Sequence, residues 1–261
     1  MSNSTESSLY NFALPTPPSP PPEPETFNEK PVTQQRQQQA TQIAKRLLAT
    51  RPLITKWASV IQRLLKELDG RDKIMKIIQY FIKILLHYKL VKAKQFSTIT
   101  SHFSMTRKLL RLGTAIGPIR ELSPLKNSIP STLITLNALV NNISDDVFCL
   151  YKLGVFGSKL GAISEKVSAY CWFAGILIDL REGAVNMSKL QAKAAIDKDE
   201  KNAELKQKIY VAEISIIKLL MDAVFCACDI WPPRQAAAIQ AWSGFLSGAL
   251  AGYKLWIKFS N

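Results

Sequence analysis

Residues that could do catalytic chemistry are few and scattered along this sequence. The two histidines, His87 and His102, lack the spacing of a metal-binding pair. Ser243 precedes a glycine, but neither a strand-to-helix elbow nor a histidine partner accompanies it. Asp145 and Asp146 form a carboxylate pair on a predicted helix surface, where we do not expect acid–base catalysis. These patterns predict a protein that is not an enzyme and that needs no metal or cofactor.

The four cysteines do not form a recognisable site either. They lie in apolar stretches with helical spacing, at Cys149, Cys171, Cys226 and Cys228. They show neither a disulfide framework nor the spacing of metal ligands, which is typical of a reducing compartment.

Basic residues carry the clearest chemical signal. The formal net charge of the 261 residues is +14. Residues 1–40 hold two basic and four acidic side chains, residues 41–126 hold 18 and four, and residues 127–261 hold 14 and 12. An excess confined to one third of the chain predicts an anionic partner, either a nucleic acid or an anionic membrane leaflet.

The elements that must position these charges are predicted to be helices. Apolar residues recur at helical spacing along most of the chain and no strand pattern is found, so we expect an all-α fold, a membrane-associated helical bundle. We expect Gly70 to adopt a left-handed conformation that ends one helix, and Asp69 or Asp72 to cap the next. Residues 91–100 are predicted to be a polar connection.

Two domains are predicted. Residues 1–41 are rich in proline and glutamine, and we expect them to be a disordered tail because they cannot bury enough apolar surface. Residues 42–261 are predicted to form the helical membrane domain.

Residues 103–120 are predicted to form an amphipathic membrane-binding helix. No acidic residue occurs between His102 and Arg120. An apolar stripe with cations beside it suits an interfacial helix, because the stripe enters the acyl region while the cations meet lipid phosphates. The apolar members are Met105, Leu109, Leu112, Ile116 and Ile119, and the basic members are Arg107, Lys108 and Arg111. Gly113 and Pro118 oppose helix formation, so we expect full order only on lipid. An ordinary core helix with a solvated basic face is the alternative.

Residues 209–257 are predicted to form a hydrophobic hairpin at the membrane. The second arm, residues 236–257, is nearly free of charge over about the length that crosses a bilayer core. Four charged residues in the first arm, residues 209–231, favour partial insertion, helix pairing or a polar cavity over a clean span. Glycines recur at every fourth position of the second arm, which predicts close helix packing and oligomerisation. They are Gly244, Gly248 and Gly252. A tightly packed soluble helix is the alternative.

Four segments together resemble the peroxin-eleven family of peroxisomal membrane-elongation proteins. They lie between residues 56 and 258, in the order that the family shows. The first consists of Gly70, Arg71, Asp72 and Lys73, followed by Gln79 and Tyr80; the others are residues 103–113, 145–154 and 244–256. The proline-rich tail departs from the compact members and indicates a fungal-type member.

The resemblance implies a peroxisomal membrane protein that promotes elongation and fission of the organelle. The predicted basic helix would enter an anionic phospholipid membrane as a wedge, and we expect the N- and C-termini to face the cytosol. The implied partners are further copies of the chain, other family members, a fission adaptor, a dynamin-like GTPase and the import receptor for peroxisomal membrane proteins. The alternatives are a metabolite pore and a basic helical nucleic-acid binder. The latter is less favoured because no recognition motif is found, so no nucleic-acid partner is expected.

Overall fold

A computed structural model describes residues 36, 39, 41, 42, 55, 57–121, 128–196 and 203–260. The tail predicted for residues 1–41 lies almost entirely outside the described residues. The chain divides into two compact units, Met1–Ile54 and Thr55–Asn261, and the helices whose bounds are given below belong to the second.

Every regular element among the described residues is an α-helix, which confirms the predicted all-α class. Residues 57–66 are helical. The helices that follow are α1 (Leu68–His87), α2 (Ala93–Leu110), α3 (Ile116–Glu121), α4 (Ile129–Lys152), α5 (Ser158–Ile196), α6 (Ala203–Ile230) and α7 (Ala236–Ser260).

Six of these helices close into a ring. Helix α1 packs against α2 and α7, α7 against α6, α6 against α5, α5 against α4, and α4 closes the ring against α2, while α3 lies beside α4. Helices α6 and α7 are the two arms predicted at the C-terminus, joined by a turn at Pro232 and Pro233. Within residues 57–121, 128–196 and 203–260, no helix is both long enough and apolar enough to cross a membrane. Membrane insertion of residues 209–257 stays a prediction.

The break before α1 differs from the expectation. The helical segment ends at Glu67, whose extended conformation (φ −82°, ψ 140°) makes the break, and neither aspartate predicted as the cap of α1 makes a capping hydrogen bond. Gly70 lies inside α1 without a positive φ. A Cβ atom there would collide with the carbonyl oxygen of Leu64, so glycine permits the close approach of the two helices. Arg71 donates from Nε to the Leu65 carbonyl oxygen over 2.6 Å. This hydrogen bond satisfies one of the free carbonyl groups at the C-terminal end of the helical segment 57–66.

Residues 103–120 do not form one continuous helix in this structure, and full helical order of the segment on lipid stays a prediction. Residues 93–100 are helical rather than a connection, and α2 ends at Leu110. Gly113 takes a left-handed φ of +81°, which reverses the backbone before α3 begins. The Gly113 N–H donates to the Asp146 carboxylate, with N···O distances of 3.1 and 3.3 Å, so this turn is held by α4.

The ring buries several polar and charged side chains beside apolar ones, and it exposes many large apolar side chains. Asp72, Gln79, Asp222 and Ser247 are buried. Large apolar side chains are exposed on every helix of the ring; they include Ile78, Phe81, Leu109, Leu133, Ile143, Ile163, Leu177, Ile217, Leu220, Trp242 and Leu246. Buried charges are uncommon in soluble proteins, and extensive exposed apolar surface marks contact with a protein or a membrane.

Candidate functional site

The segment that resembles the first family signature lies on α1 and directs polar groups into the ring. Arg107 of α2 donates from Nε to Asp72 Oδ1 and from Nη1 to Gln79 Oε1, each over 2.9 Å. Lys73 adds a second cation, 3.2 Å from Asp72 and 2.8 Å from Asp69. Burial raises the pKa of Asp72, but attraction to Arg107 and Lys73 outweighs burial and holds the pKa below its usual value. These contacts tie α2 to α1.

A second charged network joins α1, α6 and α7 at depth. Lys76 Nζ donates to Asp222 Oδ1 over 3.0 Å and to Ser247 Oγ over 2.8 Å, and Ser247 in turn donates to Asp222. Lys218 Nζ lies 2.9 Å from the other carboxylate oxygen of Asp222, so two lysines share one carboxylate. Burial, only partly offset by Asp222, lowers the pKa of Lys76 to about 8. Burial raises the pKa of Asp222, but the two lysines outweigh it and lower that pKa.

The glycine-rich face of α7 packs on α1 of the same chain. It consists of Gly244, Gly248 and Gly252. A Cβ atom on the first would lie 2.7 Å from the Tyr80 ring, and on the others 3.2 Å from Lys76 and Ile77. Burial raises the pKa of Tyr80 to about 12, and its ring meets Phe225 edge-to-face with centroids 5.4 Å apart. The predicted close packing is thus made within one chain, and self-association through this face would require α1 to move away.

The two networks line a cavity of about 570 Å³ between the six helices of the ring, which we call the central cavity. Its volume lies in the range of small-molecule pockets. Eight lysine and arginine side chains and five aspartate and glutamate side chains line it, so the lining carries a net positive charge. The basic residues are Lys73, Lys76, Lys83, Arg107, Lys108, Arg111, Lys152 and Lys218, and the acidic residues are Asp72, Asp145, Glu165, Asp222 and Asp229.

Three of these cations lie around Asp145 and the neighbouring Phe148 ring, and we call Lys108, Arg111 and Lys152 the cationic cluster. Lys108 Nζ and Arg111 Nη1 lie 3.8 and 3.5 Å from the Asp145 carboxylate. The ammonium groups of Lys108 and Lys152 lie 4.1 and 5.1 Å from the centre of the Phe148 ring. Burial lowers the pKa of Lys108, Asp145 only partly offsets it, and the repulsion of Arg111 adds to the shift.

The structure separates the two halves of the predicted membrane-binding helix. Leu109, Leu112, Ile116 and Ile119 are exposed, and Met105 is half-buried. In contrast, all three basic residues predicted beside them, Arg107, Lys108 and Arg111, line the central cavity. The apolar stripe remains available to a membrane, whereas Arg107 is bound to Asp72 and Gln79 inside the ring and Lys108 and Arg111 pair with Asp145. Contact of these cations with lipid phosphates stays a prediction.

The other residues with possible chemistry have structural roles. Ser243 Oγ donates to the Ile239 carbonyl oxygen over 2.7 Å within α7, and Cys226 Sγ lies 3.3 Å from the Ala169 carbonyl oxygen. Asp146 holds the turn after α2, as described above. No group of three or more histidine, cysteine or acidic side chains within the described ranges could hold a metal ion.

Sequence reasoning missed the residues that complete the central cavity. Lys76 meets Asp222 across 146 positions of sequence and Ser247 across 171, and no local pattern predicts such a pairing. One signal was present: Lys218 and Asp222 interrupt an apolar stretch, and charges there indicate a polar cavity. No sequence pattern predicts that Lys152 lines the cavity, because a single lysine at the C-terminal end of a helix is common.

Comparison with known proteins decides the family. The family model described as Peroxisomal biogenesis factor 11 (PEX11) matches residues 59–256. The chain belongs to this family. It is similar to "Peroxisomal membrane protein 11A" of Arabidopsis thaliana, with 23% identity over 238 residues that cover 80% of this chain and 96% of that protein. It is also similar to "Peroxisomal membrane protein 11 homolog" of Dictyostelium discoideum, with 21% identity over 253 residues, 81% of this chain and 99% of that protein. No solved structure matches the chain.

The PEX11 match confirms the resemblance drawn from the four segments. It begins within the helical segment before α1 and ends in α7, so it includes every helix of the ring. The central cavity and the exposed stripe therefore both lie within the part of the chain that defines the family.

Proposed function

We propose that this PEX11 family member resides in the peroxisomal membrane, contacts the lipid through the apolar outside of its helix ring, and promotes elongation and fission of the organelle. The location is supported by family membership and by the names of the two relatives. The observation that carries the membrane contact is the large number of exposed apolar side chains on the helices of the ring.

The exposed part of the stripe is large enough to bind a membrane. Leu109, Leu112, Ile116 and Ile119 are 42%, 44%, 64% and 56% exposed. Together they equal about two fully exposed side chains, whose transfer into the acyl region provides about 3–6 kcal/mol. Insertion of this surface into one leaflet would expand that leaflet and favour curvature.

The test is vesicle flotation of the full chain with anionic vesicles. The double variant Leu109→Glu and Leu112→Glu should reduce the bound fraction more than tenfold, because the glutamates must leave water to enter the acyl region. The control variant, Ser188→Glu and Gln191→Glu, adds the same charge at exposed positions near the end of α5 and should bind normally. Equal binding by wild type and the stripe variant would refute the membrane role of the stripe. In cells, the stripe variant should also leave peroxisomes shorter than the control does.

We further propose that both termini face the cytosol and that the protein acts with other family members, a fission adaptor, a dynamin-like GTPase and the membrane-protein import receptor. Lys254 and Lys258 near the C-terminus support the orientation. These partners are the ones that the resemblance to the family implies. Protease digestion of intact organelles tests the orientation: removal of tags on both ends is expected, and protection of either tag would contradict it.

A second candidate function is passage of small polar solutes, and the central cavity is the observation that favours it. Ala169 lines this cavity, so an Ala169→Trp variant should fill part of it and lower the conductance of reconstituted bilayers. Ala195→Trp, at an exposed position of the same helix, is the matched control. Conductance that is equal in the two variants would exclude a path through the cavity.

A further inference from the structure

The cationic cluster holds more positive charge than the chain compensates nearby. Lys108 and Arg111 share the Asp145 carboxylate at 3.8 and 3.5 Å. Lys152 faces the Phe148 and Tyr151 rings and makes no ion pair within 4.0 Å in the described part of the chain. Glu165 attracts Lys108 only from a longer distance. Lys108 and Arg111 thus have one directly paired carboxylate and Lys152 has none within 4.0 Å among the described residues, so the cluster keeps an excess of positive charge that Glu165 offsets only in part.

The cluster is accessible as well as charged. The side chain of Arg111 is 48% exposed and that of Lys108 is 24% exposed. Lys152 is also exposed, so the cluster lies where solvent enters the central cavity. A ligand can therefore reach the cations from outside and extend inward toward Trp172 and Phe225, whose rings lie 5.9 Å apart.

We propose that the central cavity binds a phosphate monoester whose phosphate is held by Lys108, Arg111 and Lys152. A phosphate monoester carries a charge of about −1.5 to −2 at neutral pH and presents three acceptor oxygens, which match the excess charge and the three donor groups. The planar guanidinium of Arg111 can donate two parallel hydrogen bonds to it. The remaining volume, part of about 570 Å³, accommodates the organic group against aromatic side chains.

The monoester can come from two sources, a soluble phosphorylated molecule or the headgroup of a lipid such as phosphatidic acid. Both present the same chemistry to the cluster. The soluble source predicts binding of methyl phosphate by the full chain in phosphatidylcholine nanodiscs. The lipid source predicts that the cluster binds the headgroup of phosphatidic acid. Nanodiscs that contain phosphatidic acid should then raise the unfolding temperature of the chain, whereas phosphatidylglycerol, a phosphodiester, should not.

The ligand test compares methyl phosphate with methyl sulfate by calorimetric titration of the full chain. The two anions share shape but differ by one charge, and we expect methyl phosphate to bind about tenfold more tightly or better. Equal affinity for the two anions would overturn the assignment to a monoester. Absence of binding by methyl phosphate together with no specific effect of phosphatidic acid would overturn the site itself.

Variants of opposite expected effect test the location. Replacing Arg111 and Lys152 with glutamine should weaken binding roughly 10- to 100-fold for each lost charged hydrogen bond. The control variant, Lys159→Gln and Lys166→Gln, removes the same charge from exposed positions outside the cavity and should bind normally. Asp145→Asn should tighten binding several-fold, because it removes the competing carboxylate. A misfolded variant cannot bind more tightly, so tighter binding would support the proposal. Unchanged or weaker binding by an Asp145→Asn variant that unfolds at the wild-type temperature would overturn it.

This inference is independent of membrane curvature. The exposed stripe and the cationic cluster share no residue, so failure of phosphate binding would leave the vesicle result for Leu109 and Leu112 unchanged. Conversely, a stripe variant that no longer binds vesicles should still bind methyl phosphate in detergent. If the cavity also passes solutes, the cluster makes phosphorylated anions the favoured class.

Discussion

Replacing Asp222 with asparagine should destabilise the helix ring strongly. The Asp222 side chain is 5% exposed and that of Lys76 is 14% exposed, so the substitution leaves a buried ammonium group without its carboxylate. Loss of one partner from a buried pair typically lowers the free energy of unfolding by about 3–5 kcal/mol. In a unit of this size, 1 kcal/mol changes the unfolding temperature by about 2–4 °C. We therefore expect a decrease of roughly 6–20 °C.

The assay is thermal unfolding of the full chain in neutral detergent, followed by circular dichroism at the helix wavelengths. Glu204→Gln is the matched control on the same helix. It removes an ion pair with Lys208 of 2.6 Å, but both groups are exposed and solvent replaces the contact, so the unfolding temperature should not change.

A double substitution separates the charge effect from a packing effect. Lys76→Met with Asp222→Leu removes both charges and keeps apolar volume, so it should be more stable than Asp222→Asn alone. Lys218 can reach water after this change because its side chain is 29% exposed. The reasoning is refuted if Asp222→Asn unfolds within 2 °C of wild type (about 1 kcal/mol or less), or if the double variant is no more stable than the single one.

Two further outcomes depend on the contact between α1 and α7. Gly244→Ala should lower the free energy of unfolding by about 1–3 kcal/mol, since the new methyl would lie 2.7 Å from the Tyr80 ring. Gly252→Ala should be neutral or stabilising, because its nearest neighbour is the end of a flexible isoleucine and alanine favours the helix by about 1 kcal/mol. Equal chemical-denaturation midpoints for the two glycine variants would contradict this expectation. Raising the pH from 8 to 10 should increase the free energy of unfolding through Lys76. Its pKa is about 8 in the folded chain and 10.5 for an ordinary solvated lysine, so the unfolded state binds more protons in this range. The increase is at most about 1.4 kcal/mol per pH unit for one group. It should shrink in Lys76→Met, and an identical pH profile for that variant would exclude the assignment.

The helical class, the family and several boundaries follow from sequence because they depend on local pattern. Helical spacing of apolar residues predicts the elements, and Gly154, which takes a left-handed φ of +83°, ends α4 as its position indicates. The glycine spacing in α7 predicts a close helix neighbour. Four short segments in order are enough to indicate the family that residues 59–256 match.

The identity of each neighbour was decided only by tertiary structure. The sequence predicts that the cations of residues 103–120 contact a membrane surface, but Arg107 binds Asp72 and Gln79 of α1 inside the ring. The glycine spacing of α7 predicts a contact between chains, but in the structure these glycines pack on α1 of the same chain. Amphipathic spacing tells which residues of a helix share a face, whereas closure of the ring decides what that face meets.

The break in residues 103–120 has a similar cause. Gly113 is recognisable in the sequence as a weak point of a helix, but the sequence alone does not say whether the chain continues or turns there. Asp146, a residue of α4, accepts the Gly113 N–H and stabilises the turn. Local propensity thus determined the helical class and the amphipathic faces of this protein. The closed packing of six helices determined that the charges line a cavity, because buried charges such as Lys76 and Arg107 require partners that distant segments of the chain supply.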